Sequence, residues 1–417
     1  MESAADLQLA LVNRLKASGA LRDPRVESAF RAVPRHLFVT DVPLEEVYQD
    51  QAIVTKRVDS VSVSSSSQPA IMAVMLQQLA LLPGHRVLEI GAGTGYNAAL
   101  MAHIVGEAGS VVTVDIDDDI VEAARQHLAS AGFDRVAVIR GDGGLGYAPG
   151  APYDRIILTV RAWDIAPAWW DQLRLGGRLV LPLALHGPEL QRAIAFDRLD
   201  DHLASSSVKP CGFMPLRGGF AGPTQQVPLG TQGELRLVYA HATSVDADAV
   251  YRWLAAGSTA DGTSVRATSV AVAGGLQLWL ALHDARFCAV HAETNMGDGA
   301  LIPALYSVGR QMRSTVGLLG ERGLAVLSWV ADPSSRDVNR WSPDAPELEL
   351  EVRSFGEDSV VTESLHRLVV GWHAAGRPGS DRLEVRAYRR GAQPATQAST
   401  RVIEKKWTSL FLDLNQG

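Results

Sequence analysis

The chain of 417 residues predicts an α/β protein built on a doubly wound parallel sheet, with a second, α+β domain behind it. Three observations predict that. Short β-branched runs alternate with helix-like stretches up to about residue 218, the signature of a parallel sheet with helices on its faces. Successive runs carry an acid at or near their ends, Glu89, Asp115 and Asp142, and ligands of such sheets bind outside the carboxyl ends of the strands. From Arg217 to Pro228 a Gly/Pro-containing stretch breaks the alternation. The expected organisation is therefore a first domain over 1–218, a linker over 219–228 and a second domain over 229–417, in keeping with a length beyond the range of a single core.

Residues 4–20 and 24–33 read as helices that precede the sheet. Gln68 to Leu82 reads as a third, opened by Ser67 and Pro69 and stopped by Pro83-Gly84. Val87 to Ile90 is an apolar strand that runs into a turn containing Gly91, Gly93 and Gly95. Glycines let the backbone turn sharply and approach a ligand without interference from a Cβ. The helix-like stretch Asn97 to Val105 then presents free amides at its N-terminus. This is the pattern of a nucleotide-cofactor cradle, or of a turn whose glycines serve helix–strand packing alone. Ser110 to Asp115 is the next strand, and its terminal acid stands where open sheets offer a carboxylate to ribose hydroxyls. Val136 to Arg140 follows, closed by Gly141-Asp142-Gly143, where Asp142 either accepts from an adenine amino group or forms an Asx turn. Tyr153 to Thr159 is the fourth strand.

The residues around the glycines select the cofactor. A dinucleotide fingerprint needs G-x-G-x-x-G, whereas here the spacing is G-x-G-x-G and Tyr96 takes the sixth position. A carboxylate at Glu89 suits a cationic ligand better than a pyrophosphate, so S-adenosylmethionine, with its sulfonium and ammonium, is expected rather than NAD. The expected contacts are Glu89, then Gly91, Ala92, Gly93, Thr94 and Gly95, then Asp115 and Ile116, then Gly141, Asp142 and Gly143.

Beyond the linker, Glu234 to Tyr239, Leu276 to Leu282, Leu383 to Tyr388 and Trp407 to Asp413 read as strands, and Asp246 to Ala256 and Val360 to Ala375 as helices. No motif in this half carries chemistry, and tryptophans 253, 279, 329, 341, 372 and 407 read as core residues. The net charge is −7 overall, with 20 Lys+Arg against 25 Asp+Glu in residues 1–218 and 19 against 21 in the remainder. Neither half is basic, which argues against nucleic-acid binding driven by phosphate neutralisation. Cys211 and Cys288 make neither a disulfide framework nor a zinc site by themselves, so no metal is expected. The N-terminus lacks an apolar signal core and no stretch has the length of a membrane helix, so cytoplasmic residence is expected.

The glycine loop, the acid after the second strand and the Gly141-Asp142-Gly143 turn together resemble the protein-L-isoaspartate O-methyltransferases. More specific segments lie upstream: Val26-Glu-Ser-Ala-Phe-Arg-Ala-Val-Pro-Arg-His-Leu-Phe-Val39, Tyr48-Gln-Asp50 and Ser67-Gln-Pro69. The likeness runs on through Leu175 to Pro182 and Phe213 to Leu216, about the first half of the chain. It implies a class I methyltransferase fold, Rossmann-like, and a peptide or protein substrate containing Asp or isoAsp. In the family a Thr and an aliphatic residue precede the Ser-Gln-Pro segment, which lies against the substrate; here Ser65 and Ser66 stand in their places. The serine-rich loop and the added length make the chain look like the extended relatives of ribosomal-peptide pathways, which methylate aspartate to set up an aspartimide. A repair enzyme, a small-molecule methyltransferase and a binding module without cofactor are the alternatives.

A carboxylate is ionised at pH 7, well above its reference pKa of about 4, so its methylation needs no general base. What is required is alignment and exclusion of water. The resemblance implies that the hydroxyls of Ser65 and Ser67 hold the substrate, although Ser67 could instead cap the following helix. His36 lies in a segment whose family role looks structural. Arg161 is a candidate carboxylate contact or a solvent-facing arginine.

Overall fold

The computed structural model describes residues 2–415 except 60, 188–189, 224–225, 231–234, 240–244, 294–300, 309–311, 331–345, 393 and 398. Glu234, expected to open a strand, and Trp341 lie outside the described residues. Helices Ala4–Ala17 and Pro24–Ala32 come first, capped by Ser3, which forms a reciprocal capping box with Asp6, and by Asp23 ahead of Pro24. A separate hairpin follows, β1 (Ile53–Val58) paired antiparallel with β2 (Val61–Ser66), and then helix Pro69–Leu79.

The main sheet takes β3 (Arg86–Ile90), β4 (Ser110–Asp115), β5 (Ala137–Arg140), β6 (Tyr153–Leu158), β7 (Leu173–His186), β8 (Leu190–Arg198) and β9 (His202–Pro210). Its order begins β5-β4-β3-β6-β7, and these five strands are parallel, as expected. From β7 onward the expected alternation of strand and helix gives way to an antiparallel meander, β7-β8-β9. The first seven residues of β8 are all buried, so no period-two pattern marks it in the sequence.

A second sheet is antiparallel throughout: β10 (Gln226–Leu229), β11 (Leu235–Tyr239), β12 (Thr259–Ala267), β13 (Phe287–Glu293), β14 (Tyr306–Val308), β15 (Met312–Leu319), β16 (Gly323–Trp329) and β17 (Leu348–Gly356). Helix Ser359–Ala374 lies against it. Leu276 to Leu282, expected as a strand, is helical: a π-helical turn at Val272–Leu276 passes into helix Gln277–His283. Residues 276–281 are all buried, and a uniformly buried apolar run does not reveal its period.

The expected boundary at 219–228 does not separate the molecule into two independent sheets. Leu383–Arg389 pairs with β9, and Thr408–Leu414 and Arg401–Glu404 extend the main sheet to ten strands. One apolar cluster runs from Leu88, Ile156 and Leu181 of the first sheet to Val238, Val316 and Leu327 of the second. Trp279, Trp329 and Trp372 are buried within it, as expected for core residues. A Gly/Pro break identifies a linker, but strand pairing is nonlocal and lets the chain return to its first sheet.

Candidate active site

The turn after β3 is shaped by what its glycines face. Gly91 has φ +100°, and a Cβ there would stand 2.6 Å from Thr159 Oγ1. Thr159 Oγ1 in turn donates to the Gly91 carbonyl at 2.7 Å and ties the turn to the end of β6. Gly95, at φ +86°, begins helix Tyr96–Val105 and faces Leu128 and the Ala124 carbonyl of the neighbouring helix, so it serves packing. Gly91, Ala92, Gly93 and Thr94 line a cleft of about 1110 Å³.

The three expected acids divide. Asp115 lines the cleft; its Oδ2 accepts from Gly93 N at 3.2 Å and its Oδ1 from Ile116 N at 2.8 Å. Burial raises its pKa, while the amides of Gly93, Asp117 and Ile116 oppose the rise. Ile116 lines the cleft beside it. Glu89 does not line the cleft: it is fully buried behind the turn, accepting from Asn97 Nδ2 at 2.7 Å, and Asn97 is the residue that reaches the cleft. Burial pushes the Glu89 carboxyl up to about 7, against the pull of Asn97 and Thr113. Asp142 is likewise turned away, accepting from Gly144 N at 2.9 Å and Gly219 N at 2.7 Å. That is the Asx turn, extended to clasp the loop after Arg217, and the Asp142 side chain does not line the cleft. Gly141 also stands off the cleft, and Gly143 lines it.

The upstream segment packs behind the cleft and holds the residues that line it. Phe30 and Phe38 pack against Tyr96 with ring centroids 6.2 and 5.4 Å apart. Arg35 is completely buried, and its guanidinium donates to the carbonyls of Val47 at 3.0 Å, Gln49 at 3.2 Å, Gln51 at 3.3 Å and Ser67 at 3.1 Å. It thereby fixes the serine-rich strand to residues 47–51. Ser65 and Ser67 both line the cleft. Ser67 does not cap the following helix, because Asp50 Oδ1 accepts from Ala70 N at 2.8 Å in its place. His36 Nδ1 lies 2.7 Å from the Tyr48 hydroxyl, a structural contact. Arg161 bridges by its backbone to Met214 and Leu216 and does not line the cleft.

Two further parts of the site carry no motif in the sequence. The β1–β2 hairpin is pinned beside Asp115 by Lys56, 2.9 Å from Asp117 and 2.6 Å from Asp119, and Arg217 grips Asp117 through two bonds of 3.1 and 2.8 Å. Arg217 holds the Asp117 carboxyl below its ordinary range. The opposite wall of the cleft comes from β8 with Arg192, the helix at Gln277, and the second sheet with Gln226, Arg236, His291 and Met312. Among the described residues no group of three His, Cys, Asp or Glu side chains is placed to hold a metal ion, and no helix is long and apolar enough to cross a membrane.

A family model described as protein-L-isoaspartate(D-aspartate) O-methyltransferase matches residues 6–221. A protein-L-isoaspartate O-methyltransferase of Methanopyrus kandleri is 38% identical over 217 residues, covering 51% of this chain and 93% of that protein. A protein of the same name from Thermotoga maritima is 39% identical over 194 residues, covering 46% of this chain and 61% of that one. Among solved structures, one named protein-L-isoaspartate O-methyltransferase aligns over 91% of this chain and 96% of its own, with 23% identity and a TM-score of 0.46.

Proposed function

Since the chain belongs to the protein-L-isoaspartate(D-aspartate) O-methyltransferase family, we propose that it methylates an aspartyl or isoaspartyl carboxylate within a peptide, at the cleft that Gly93 and Ser65 line. It is an S-adenosylmethionine-dependent carboxyl O-methyltransferase with the α/β sheet of the class I enzymes. The observation that supports the site best is a juxtaposition: a Cβ added at Gly93 would stand 3.5 Å from the Ser65 carbonyl oxygen. The glycine turn and the serine strand therefore meet, so that a cofactor in one lies against an acceptor on the other.

The residues present fit the cofactor. Gly91, Ala92, Gly93 and Thr94 line the cleft with a turn held open by positive φ at both glycines, Asp115 offers a carboxylate for ribose hydroxyls, and Ile116 and Gly143 complete that wall. S-adenosylmethionine supplies an electrophilic methyl group, and the rest of the work is alignment by this chain. The acceptor carboxylate is already ionised at neutral pH. Ser65 and Ser67 hydroxyls orient it, Arg35 holds their strand in place, and the hairpin excludes water. Orientation of this kind supplies roughly 7–11 kcal/mol.

Two acceptors share this chemistry. An isoaspartyl residue of damaged protein matches the names of the relatives, and the Thermotoga maritima protein also extends beyond its match. An aspartate of a dedicated precursor peptide, whose ester closes to an aspartimide, is the second reading, for which the wall of the second sheet beyond residue 221 offers a further surface. A cytoplasmic setting suits both. The test is mass spectrometry of Asp-containing and isoAsp-containing peptides after incubation with S-adenosylmethionine. The expected product carries one added methyl as an alkali-labile ester and later loses methanol to a succinimide. Methyl stably attached to nitrogen or to a phenolic oxygen would overturn the reading.

A further inference from the structure

Methyl transfer uses the glycine turn and the serine strand, and leaves the opposite wall of the cleft without a task. That wall takes one residue from each of four adjacent strands: Gln226 on β10, Arg236 on β11, His291 on β13 and Met312 on β15. Arg236 and His291 are direct cross-strand partners, a relation that brings Cβ atoms within about 4.5–5.5 Å. Alternation along the strands fixes their direction. Leu235 and Leu237 point to the other face, into the cluster with Val250 and Leu254. Val238 and Ala289, on the same face as Arg236 and His291, are buried in the core shared by the two sheets. One face of the second sheet thus changes from apolar to polar where it opens onto the cleft.

The charge of this wall is opposite to that of the molecule. In a chain of net charge −7, the Asp, Glu, Lys and Arg residues lining the cleft, among those described, are Asp115, Arg192, Arg217 and Arg236. Arg217 is engaged with Asp117. Arg236 meets Glu293 at 2.8 Å, with both side chains nearly half exposed, and such pairs are worth about 0–1 kcal/mol and exchange readily. Arg192 is buried at the corner of the cleft, donating to Ser380 Oγ at 2.7 Å and to the carbonyls of Gln191 and Ala273 at 2.8 and 3.0 Å. A guanidinium in a loosely held surface pair, beside an imidazole, offers donors suited to a carboxylate.

We propose that Arg236 and His291, with Arg192 behind them, form a second carboxylate subsite that reads an acidic residue flanking the one to be methylated. The acceptor is then an acidic peptide. This rests on the carboxyl-methylation reading, and it assigns the second sheet a defined part in choosing the substrate.

The test measures binding apart from turnover. Fluorescently labelled Asp and isoAsp peptides, each carrying a single Glu or its Gln counterpart at successive positions around the acceptor, are titrated with the full-length protein in the presence of S-adenosylhomocysteine. At one or more positions Glu should bind roughly tenfold more tightly than Gln, the size of one charge-assisted hydrogen bond. In Arg236→Gln the preference should fall to within about twofold, and in His291→Gln it should shrink. Equal binding of Glu and Gln peptides at every position, or a preference that survives in both variants, overturns the subsite. Methyl transfer in the same samples keeps the two readings apart. Discrimination without ester formation would remove the methylation reading and leave the subsite standing, whereas ester formation without discrimination would do the reverse.

Discussion

The two walls of the cleft are built on opposite plans. The glycine wall is local: Gly91 to Thr94, Asp115, Ile116 and Gly143 come from a few strand ends close together in the chain, and most of what they offer is backbone. The facing wall collects side chains from β8, β10, β11, β13, β15 and the helix at Gln277, spread over more than a hundred residues. A site made of backbone needs glycines at fixed spacing and leaves a motif. A site made of side chains on paired strands needs only that each strand carry one polar residue on the right face, and leaves none.

The difference would disappear if the walls were separable, so the largest predicted effect is the cost of separating them. Ending the chain at Pro228 removes the strands that complete the main sheet and cuts through the shared core. The truncated protein should lose its cooperative thermal transition by circular dichroism. A fragment that melts cooperatively near the full-length temperature would show that the first wall stands alone.

The next prediction sharpens the glycine wall. Glu89 has a folded-state pKa of about 7 against an ordinary value of 4.5, because burial disfavours the charged form. The folded protein therefore holds a proton that the unfolded chain has released over that interval. Its contribution is fully present below about pH 4.5 and is lost as pH rises through about 7. Between pH 5 and pH 8, Glu89→Gln should lose less stability than the wild type, by on the order of 3 kcal/mol, in denaturant titrations without cofactor. Parallel pH dependences for the two proteins would place the charge of Glu89 elsewhere.

Glu89 also shows where sequence reasoning stops. Its distance from the glycines is legible, but whether its carboxyl meets the ligand or a neighbouring Asn97 depends on a helix that folds back over it. The parallel half of the sheet, the glycine turn and Asp115 at its strand end are readable because each is a short-range pattern, whereas the serine-rich segment reads as a loop and is strand β2. The meander after β7, the helix at 277–283 and the return of 383–414 are not readable, because burial on all sides erases periodicity and strand pairing has no local trace. Arg35 is an intermediate case. It stands in plain view in the upstream segment, yet only the structure shows its guanidinium gathering four carbonyls.

A smaller effect is expected at Arg35. Arg35→Lys keeps the charge but loses the fork that spans those carbonyls. The KM for an acceptor peptide should rise about tenfold while cofactor affinity changes little, as measured by steady-state kinetics and calorimetry. Loss of both together would mean that the residue supports the whole domain and not the serine strand. The smallest effect belongs to the hairpin. Lys56→Ala removes partly exposed pairs worth about 0–1 kcal/mol, so cofactor release followed by stopped flow should quicken only a few-fold. High salt should bring the wild type towards the same rate.

The central claim is that one wall holds the cofactor and the other reads an acidic residue beside the acceptor. Calorimetric titration of S-adenosylmethionine and of an acidic acceptor peptide, each alone, into the wild type, Asp115→Ala and Arg236→Gln tests it most directly. Asp115→Ala should weaken the cofactor by about 1.5–3 kcal/mol, or roughly ten- to a hundredfold, and leave the peptide near its wild-type affinity; Arg236→Gln should do the opposite. Wild-type cofactor affinity in Asp115→Ala, or an equal loss of both ligands in either variant, would contradict the division of the cleft.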